Sequence, residues 1–288
     1  MAVSACLALA VADPSFAQGK GGGKKPPKSA APSPSTSALS SPINAAPAVQ
    51  TGGEASLGAA SPFAWLDDAS LIDSGSVWIG VSMLQWYGGG LTETMVPVID
   101  AAVGLTPRVQ LGVSIPRVPG GVGTTFFSGK VGLLTDNAHN VQVAVTPTLE
   151  VAGGAVLNSL PAGQSRTQWG LPVSVHADRE NLRVYGSSGY FSPGIWYAGA
   201  GIARAVGDRV GVSGSFSRAW TTSSGSDLSV ASAPLRNELS GGASYGLRPN
   251  IAVFGSIGRT IGTSIEDGAG TTLSFGVSVS AAPKLPTN

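Results

Sequence analysis

This sequence predicts an all-β fold, an antiparallel up-and-down transmembrane β-barrel of about 12 strands with short periplasmic turns and longer external loops. Three observations lead there. Strict alternation of apolar and small residues runs from residue 75 almost to the C-terminus. Only 11% of residues are charged, against roughly 25% in a soluble domain, and the 41 glycines are about twice the usual share. Short and long connections alternate between the predicted strands.

The stretch ELSGGASYGLRPNIAVFGSIGRT (238 to 260) displays the alternation. One face carries Leu239, Ala243, Tyr245, Leu247, Ile251, Val253 and Ile257; the other carries Ser240, Gly242, Ser244, Gly246, Ala252, Ser256 and Gly258. A soluble sandwich would need Lys, Glu, Thr and Gln on the second face to hold water. In a barrel the apolar face meets lipid and the Gly/Ser face lines a lumen.

From the N-terminus, MAVSACLALAVADPSFAQ resembles a secretory signal, with cleavage expected after Ala17, although the positively charged n-region is missing. VSAC also invites reading as a lipidation box around Cys6, but the residues after it are apolar where a polar tether is expected. Residues 18 to 60, rich in Lys, Pro, Ser, Gly and Ala, cannot bury a core and form an expected disordered tether. Its Lys20, Lys24, Lys25 and Lys28 read as a solvated, mildly basic run. Residues 61 to 74 then offer Phe63, Trp65, Leu66, Leu71 and Ile72, a lead-in expected to cover the near end of the barrel or to plug it. Past residue 17 no window approaches 18 uninterrupted apolar residues, so a chain that spans a membrane must do so as a closed barrel.

The barrel is expected over 75 to 280, with strands near 76–86, 95–105, 109–115, 125–134, 141–151, 169–177, 182–191, 195–205, 210–220, 237–247, 251–260 and 271–280. VQLGVSI (109 to 115), VQVAVTPTLEV (141 to 151), WGLPVSVHA and TLSFGVSVS alternate most cleanly. Short turns fall at LTPR, TDNAHN, DREN, VGDR and LRPN, all with the Pro, Asp, Asn or Gly chemistry of turns. Longer connections are expected at 87–94, 116–124, 152–168, 221–236 and 261–270, with a compact SPG at 192–194. GGVGTT (120 to 125) and GAGTT (268 to 272) share only glycine content with phosphate loops, and read as loops. Aromatics gather near strand ends, where those facing lipid form girdles: Trp78, Trp86, Tyr87, Phe126, Phe127, Trp169, Tyr190, Phe191, Trp196, Tyr197 and Trp220. A tail, 281 to 288, closes the chain.

From about residue 75 the chain resembles Gram-negative outer-membrane β-barrels, and SYGLRPNIAVFGSIGRTI with GTTLSFGVSVS looks like the closing strands of a loosely defined transporter group similar to barrels of phenol-degradation pathways. The resemblance implies residence in the outer membrane, contact with lipid and lipopolysaccharide, assembly by the barrel-assembly machinery, and passive passage of small solutes. A structural or adhesive barrel is the alternative. Such barrels usually end in an aromatic residue that the assembly machinery reads, whereas here Phe275 is the last aromatic and AAPKLPTN follows the last strand.

Few ionisable residues face inward. Asp100, Lys130 and Glu150 fall on the inward register, His176 and Arg183 sit at the short-turn ends of their strands, and Glu238 starts its strand. Asp100 and Lys130 are two strands apart, about 10 Å between backbones, bridgeable directly or through Gln110. That grouping reads either as a charged constriction that sets selectivity or as an ion pair that fills a narrow barrel. Small residues such as Ser213, Ser215, Ser244, Gly276 and Ser278 are expected to leave volume along one wall. Arg218 and Arg259 break the pattern, with lipid-facing parity near the long-loop ends; either a bulge turns them inward or they reach lipid head groups. His139 and His176 have no Ser and acid at a recognisable spacing, so an enzyme is not expected. Net charge of +1 argues against a nucleic-acid partner. The single Cys6 excludes an internal disulfide or a cysteine zinc site, and no cofactor or metal is expected.

Overall fold

The computed structural model describes residues 66–88, 91–157, 165–192, 194–221, 235–261 and 270–282. The expected signal peptide, the tether, Phe63 and Trp65 of the lead-in, and the tail beyond 282 lie outside the described residues.

The strands run β1 (Val77–Gly88), β2 (Leu91–Thr106), β3 (Val109–Val118), β4 (Gly121–Val122), β5 (Thr125–Asp136), β6 (Val141–Val145), β7 (Thr148–Val151), β8 (Thr167–Arg179), β9 (Leu182–Phe191), β10 (Ile195–Val206), β11 (Val210–Thr221), β12 (Leu235–Arg248), β13 (Ile251–Ile261) and β14 (Gly270–Ala281). Each pairs antiparallel with its neighbours, and β1 pairs with both β2 and β14, so the ladder closes on itself. Closure leaves no sheet edge, which a wall in hydrocarbon requires because lipid offers its backbone no partner. The wall has 12 strands. β6 and β7 are two halves of one strand, both paired with β5 and β8, and β4 is a flap folded onto the end of β3. The strand breaks at Pro147, which has no N–H to donate; the Pro147 carbonyl accepts from the Gly129 N–H at 3.0 Å and the Thr146 N–H reaches the Pro172 carbonyl at 2.8 Å.

The alternation places side chains as expected over most of the wall. Ile79, Val81, Leu111, Val173, Val175, Phe216, Leu239, Ile257, Phe275 and Val277 point out and are exposed, while their neighbours in sequence turn inward. Four register shifts interrupt that parity, two of them beside short turns, between Gly104 and Thr106 and between Gly246 and Arg248. β1 and β2 slip register between Ser82 and Leu84, opposite Val96 and Pro97, and β5 slips against β6 between Gly132 and Leu134, which leaves both Leu133 and Leu134 outside.

Several expected connections are shorter than predicted. β1 and β2 extend until only residues 89 and 90 separate them, where a connection over 87–94 was expected. The 116–124 connection is largely absorbed by the end of β3 and by β4, so Gly121 and Val122 of GGVGTT are paired to β3, and Gly270, Thr271 and Thr272 of GAGTT open β14. A single helical turn, α1 (Gly154–Leu157), lies between β7 and β8.

Aromatics divide between the two surfaces. Trp78, Phe126, Phe191 and Tyr197 are buried inside. Trp169, Tyr190 and Trp196 lie on the outer face at the long-connection end of β8, β9 and β10. Their rings are stacked edge to tilted face, with centroids 5.3 Å and 5.2 Å apart, and the ladder continues the row from Trp196 to Trp220. That row is an aromatic band on the outer face near one rim.

Candidate functional site: a lumen held by an internal segment

Residues 66 to 74 run inside the barrel toward its short-turn end, among inward-facing residues of β1, β2, β3, β5, β9 and β10. Leu66 is 1% exposed and packs with Tyr185 and Ala203, filling the space left by Gly199, where a Cβ would overlap its methyl group. Further along, Ile72 packs with Trp78 and Ala102, and its N–H donates to Gln110 Oε1 at 2.9 Å. The Ile72 and Asp73 carbonyls lie against Gly104, where a Cβ would clash with both. The segment leaves the lumen where the Gly75 N–H meets the Gly104 carbonyl at 2.7 Å, and β1 begins.

Between these apolar anchors lies a buried ion cluster. Lys130, reaching in from β5, pairs with the Asp67 carboxylate and donates to the Asp68 and Ser70 carbonyls at 3.0 and 3.1 Å. Arg183 of β9 donates through Nη1 to Asp68 Oδ2 and to Ser70 Oγ, both at 2.6 Å. Its Nε and Nη2 grip Asp178 of β8 at 2.7 and 2.8 Å. The Ser70 N–H donates back to Asp68 Oδ1 at 2.8 Å, closing a tight turn around the carboxylate. His176 completes the group, with Nε2 3.8 Å from Asp178 Oδ2. Three carboxylates thus face Lys130 and Arg183, and the surplus falls on Asp67. Burial pushes its carboxyl up to about 7 despite the attraction of Lys130. Asp68 is equally buried, yet Arg183 and Lys130 outweigh that penalty and hold it below the usual carboxylate range.

The site residues named from the sequence distribute around this cluster. Lys130, Gln110, His176 and Arg183 are drawn together, but by the internal segment rather than by one another. Lys130 does not pair with Asp100, whose Oδ1 has no hydrogen-bond partner and whose ladder partners are Gly80 and Ser114. Gln110 holds the Ile72 backbone instead of mediating an Asp100–Lys130 contact. Glu150 faces inward on β7, opposite Phe126 and Gln168. Glu238 is the fourth residue of β12 rather than its start, and its carboxylate lies over Gly258. Arg218 and Arg259 point outward; the ladder runs through both without a bulge, and Arg259 donates to Thr271 Oγ1 at 3.0 Å. His139 pairs with Asp136 at 2.7 Å in an exposed turn, and His176 is packed against the ion cluster.

Sequence reasoning missed Asp67, Asp68, Ser70 and Asp178. A signal for the first two was present: an acidic doublet just ahead of the first strand, and an inward cation, Arg183, without an assigned counter-ion. The Gly/Ser wall is also fuller than expected. The Phe254 ring occupies the space beside Gly276, and the Tyr185 ring that beside Gly201; Ser244 and Ser278 are buried. Open wall survives where Ser213, Ser217, Ser240, Gly242, Ser256 and Ser274 remain half-buried.

No family model matches the chain, and no curated protein matches it. Solved structures do. The NanC porin superposes with a TM-score of 0.54 at 9% identity, over 70% of this chain and 98% of that one. The KdgM porin in complex with disordered oligogalacturonate gives 0.51 at 9% identity, over 70% and 98%. An outer membrane channel from Pseudomonas putida F1 gives 0.51 at 13% identity, over 74% and 97%. At such identities the likeness is one of fold, and the fold is that of an outer-membrane porin-like β-barrel.

Proposed function

We propose that this protein is a channel for passive passage of small solutes across the outer membrane of a Gram-negative bacterium. The observation that carries the reading is the two-sided wall. A closed ladder presents a continuous apolar band outward, with an aromatic row at one rim, while β11 to β14 present Ser and Gly inward with part of that face open to water. Lipid surrounds the first surface and solute passes along the second. The fold shared with two porins and an outer membrane channel supports the same reading, as does the likeness of the closing strands to the transporter group of phenol-degradation barrels. Arg218 and Arg259, outward and near the long-connection rim, are suited to the phosphates of lipopolysaccharide.

The test is planar-bilayer recording of the purified barrel, alongside a variant in which residues up to Asp73 are replaced by a cleavable export signal. Discrete current steps from either protein are expected. If neither passes current while both show a folded barrel on heat-modifiable gels, the channel reading fails and a structural or adhesive barrel takes its place.

A further inference from the structure

The geometry points to residues 66 to 74 as a displaceable plug, latched in the lumen by the Asp68 carboxylate on Arg183 and by Lys130 on the backbone of Asp68 and Ser70. This inference rests on the channel reading and adds its regulation.

Three features separate a plug from a merely structural strand. The segment contributes no strand to the wall; among the described residues its one β-bridge is Ser74 to Gly104, at the exit. Its polar grip is concentrated on charges. Arg183 and Lys130 together make four contacts to Asp68 and Ser70, each at 3.1 Å or less. And the wall stands without it: Asp178 keeps two hydrogen bonds to Arg183 when Asp68 leaves, and the ladder closes independently of residues 66 to 74. Replacing one partner of such a pair leaves an uncompensated buried charge and strongly disfavours the seated state. The two states are therefore set by a few side chains, with Leu66 in the Gly199 recess and Ile72 against Trp78 as the apolar seats.

The decisive variant is Asp68→Lys, which sets a third cation beside Lys130 and Arg183. It should raise open-state occupancy in planar bilayers by about tenfold or more over the native chain, with Asp68→Asn giving a smaller rise in the same direction. A lock is the converse. A Cβ on Gly132 would lie 3.1 Å from Leu71 Cδ1 and otherwise meet nothing closer than 3.8 Å. Leu71→Cys with Gly132→Cys, in a chain with Cys6→Ser, should therefore cross-link plug to wall. The oxidised lock should hold current below the native level, and reduction should restore it, even if Asp68→Lys fails to assemble. Native-level current from both Asp68→Lys and the oxidised lock overturns the plug while leaving the channel intact. Silence from every variant, the truncated chain included, removes the channel reading itself.

Discussion

Placing Arg at Phe216 and at Ser217, adjacent residues of β11, separates lipid from lumen in one comparison. Phe216 is the seventh of the 12 residues of the strand. At about 3.4 Å per residue and a tilt near 40°, it lies roughly 13 to 16 Å in depth from either end, close to the middle of an apolar band about 25 Å tall. It points outward and is 44% exposed, between Ala200 of β10 and Leu239 of β12 in the ladder. A guanidinium there costs on the order of 2 to 4 kcal/mol, a drop of roughly 30- to 700-fold in the folded-to-unfolded ratio. Ser217 points inward on the half-open wall, and its ladder partner is Glu238. An Arg there stays hydrated beside a carboxylate, and its main effect should be on current. Folded yield, read from the heat-modifiability shift after refolding into detergent and into bilayers, should fall sharply for Phe216→Arg and little for Ser217→Arg. Damage confined to Ser217→Arg would mean inside and outside are exchanged. Equal harmlessness would mean that β11 is not in a bilayer.

Other outcomes follow from the same contacts. Gly276→Ala forces a Cβ within 2.7 Å of Phe254, Ser82 and the Val81 carbonyl and should cost about 1 to 3 kcal/mol. Gly241→Ala, with nothing nearer than 3.6 Å, should leave the unfolding midpoint in denaturant nearly unchanged; matching midpoints would contradict the packed lumen. Seating of the plug should depend on pH through Asp67, which is faced by Lys130, Asp68, Tyr185 and Tyr197. Its carboxyl is raised to about 7 when seated, so the contribution is full below the ordinary carboxylate value and is lost as pH rises through 7. The depressed Asp68 loosens the seat only in acid. Current should therefore climb between about pH 4 and about pH 7 and level off above it, and Asp67→Asn should flatten that rise; a native profile already flat would refute the assignment. In variants that keep a single Trp, Trp169 or Trp196 should be quenched more by lipid brominated near the head group than by lipid brominated at the chain end. The opposite order would take that row away from the interface. Deleting 19 to 60 should leave folded yield intact, since the tether has no apolar content for a core, and degraded product would show that it is structural.

The wall was legible in the sequence because its determinant is local. A strand's side chains alternate with period 2, and lipid against lumen is a binary choice made at every residue, so Val109 to Ile115 or Thr272 to Ser280 declare their facing without knowledge of any neighbour. The turn chemistry counted the strands. Where the reading slipped, at the β1–β2 hairpin and at Leu133–Leu134, a register shift or an extended ladder intervened, and neither depends on the residues of one strand alone.

What fills the barrel was decided only by tertiary structure. Alternation makes Ser114 and Ser217 equivalent, both small and inward, yet Ser114 is buried at 5% exposure and Ser217 is not. The difference comes from how inward side chains of distant strands and the 66–74 segment share one confined volume, so that glycines 199, 201 and 276 are recesses for Leu66, Tyr185 and Phe254 rather than open space. The partner of Lys130 was beyond sequence for the same reason. Strand spacing set Asp100 within reach, but a buried cation takes the carboxylate that can approach with its own backbone carbonyls alongside, and a segment outside the wall brings Asp67, Asp68 and Ser70 to it where the wall does not bring Asp100.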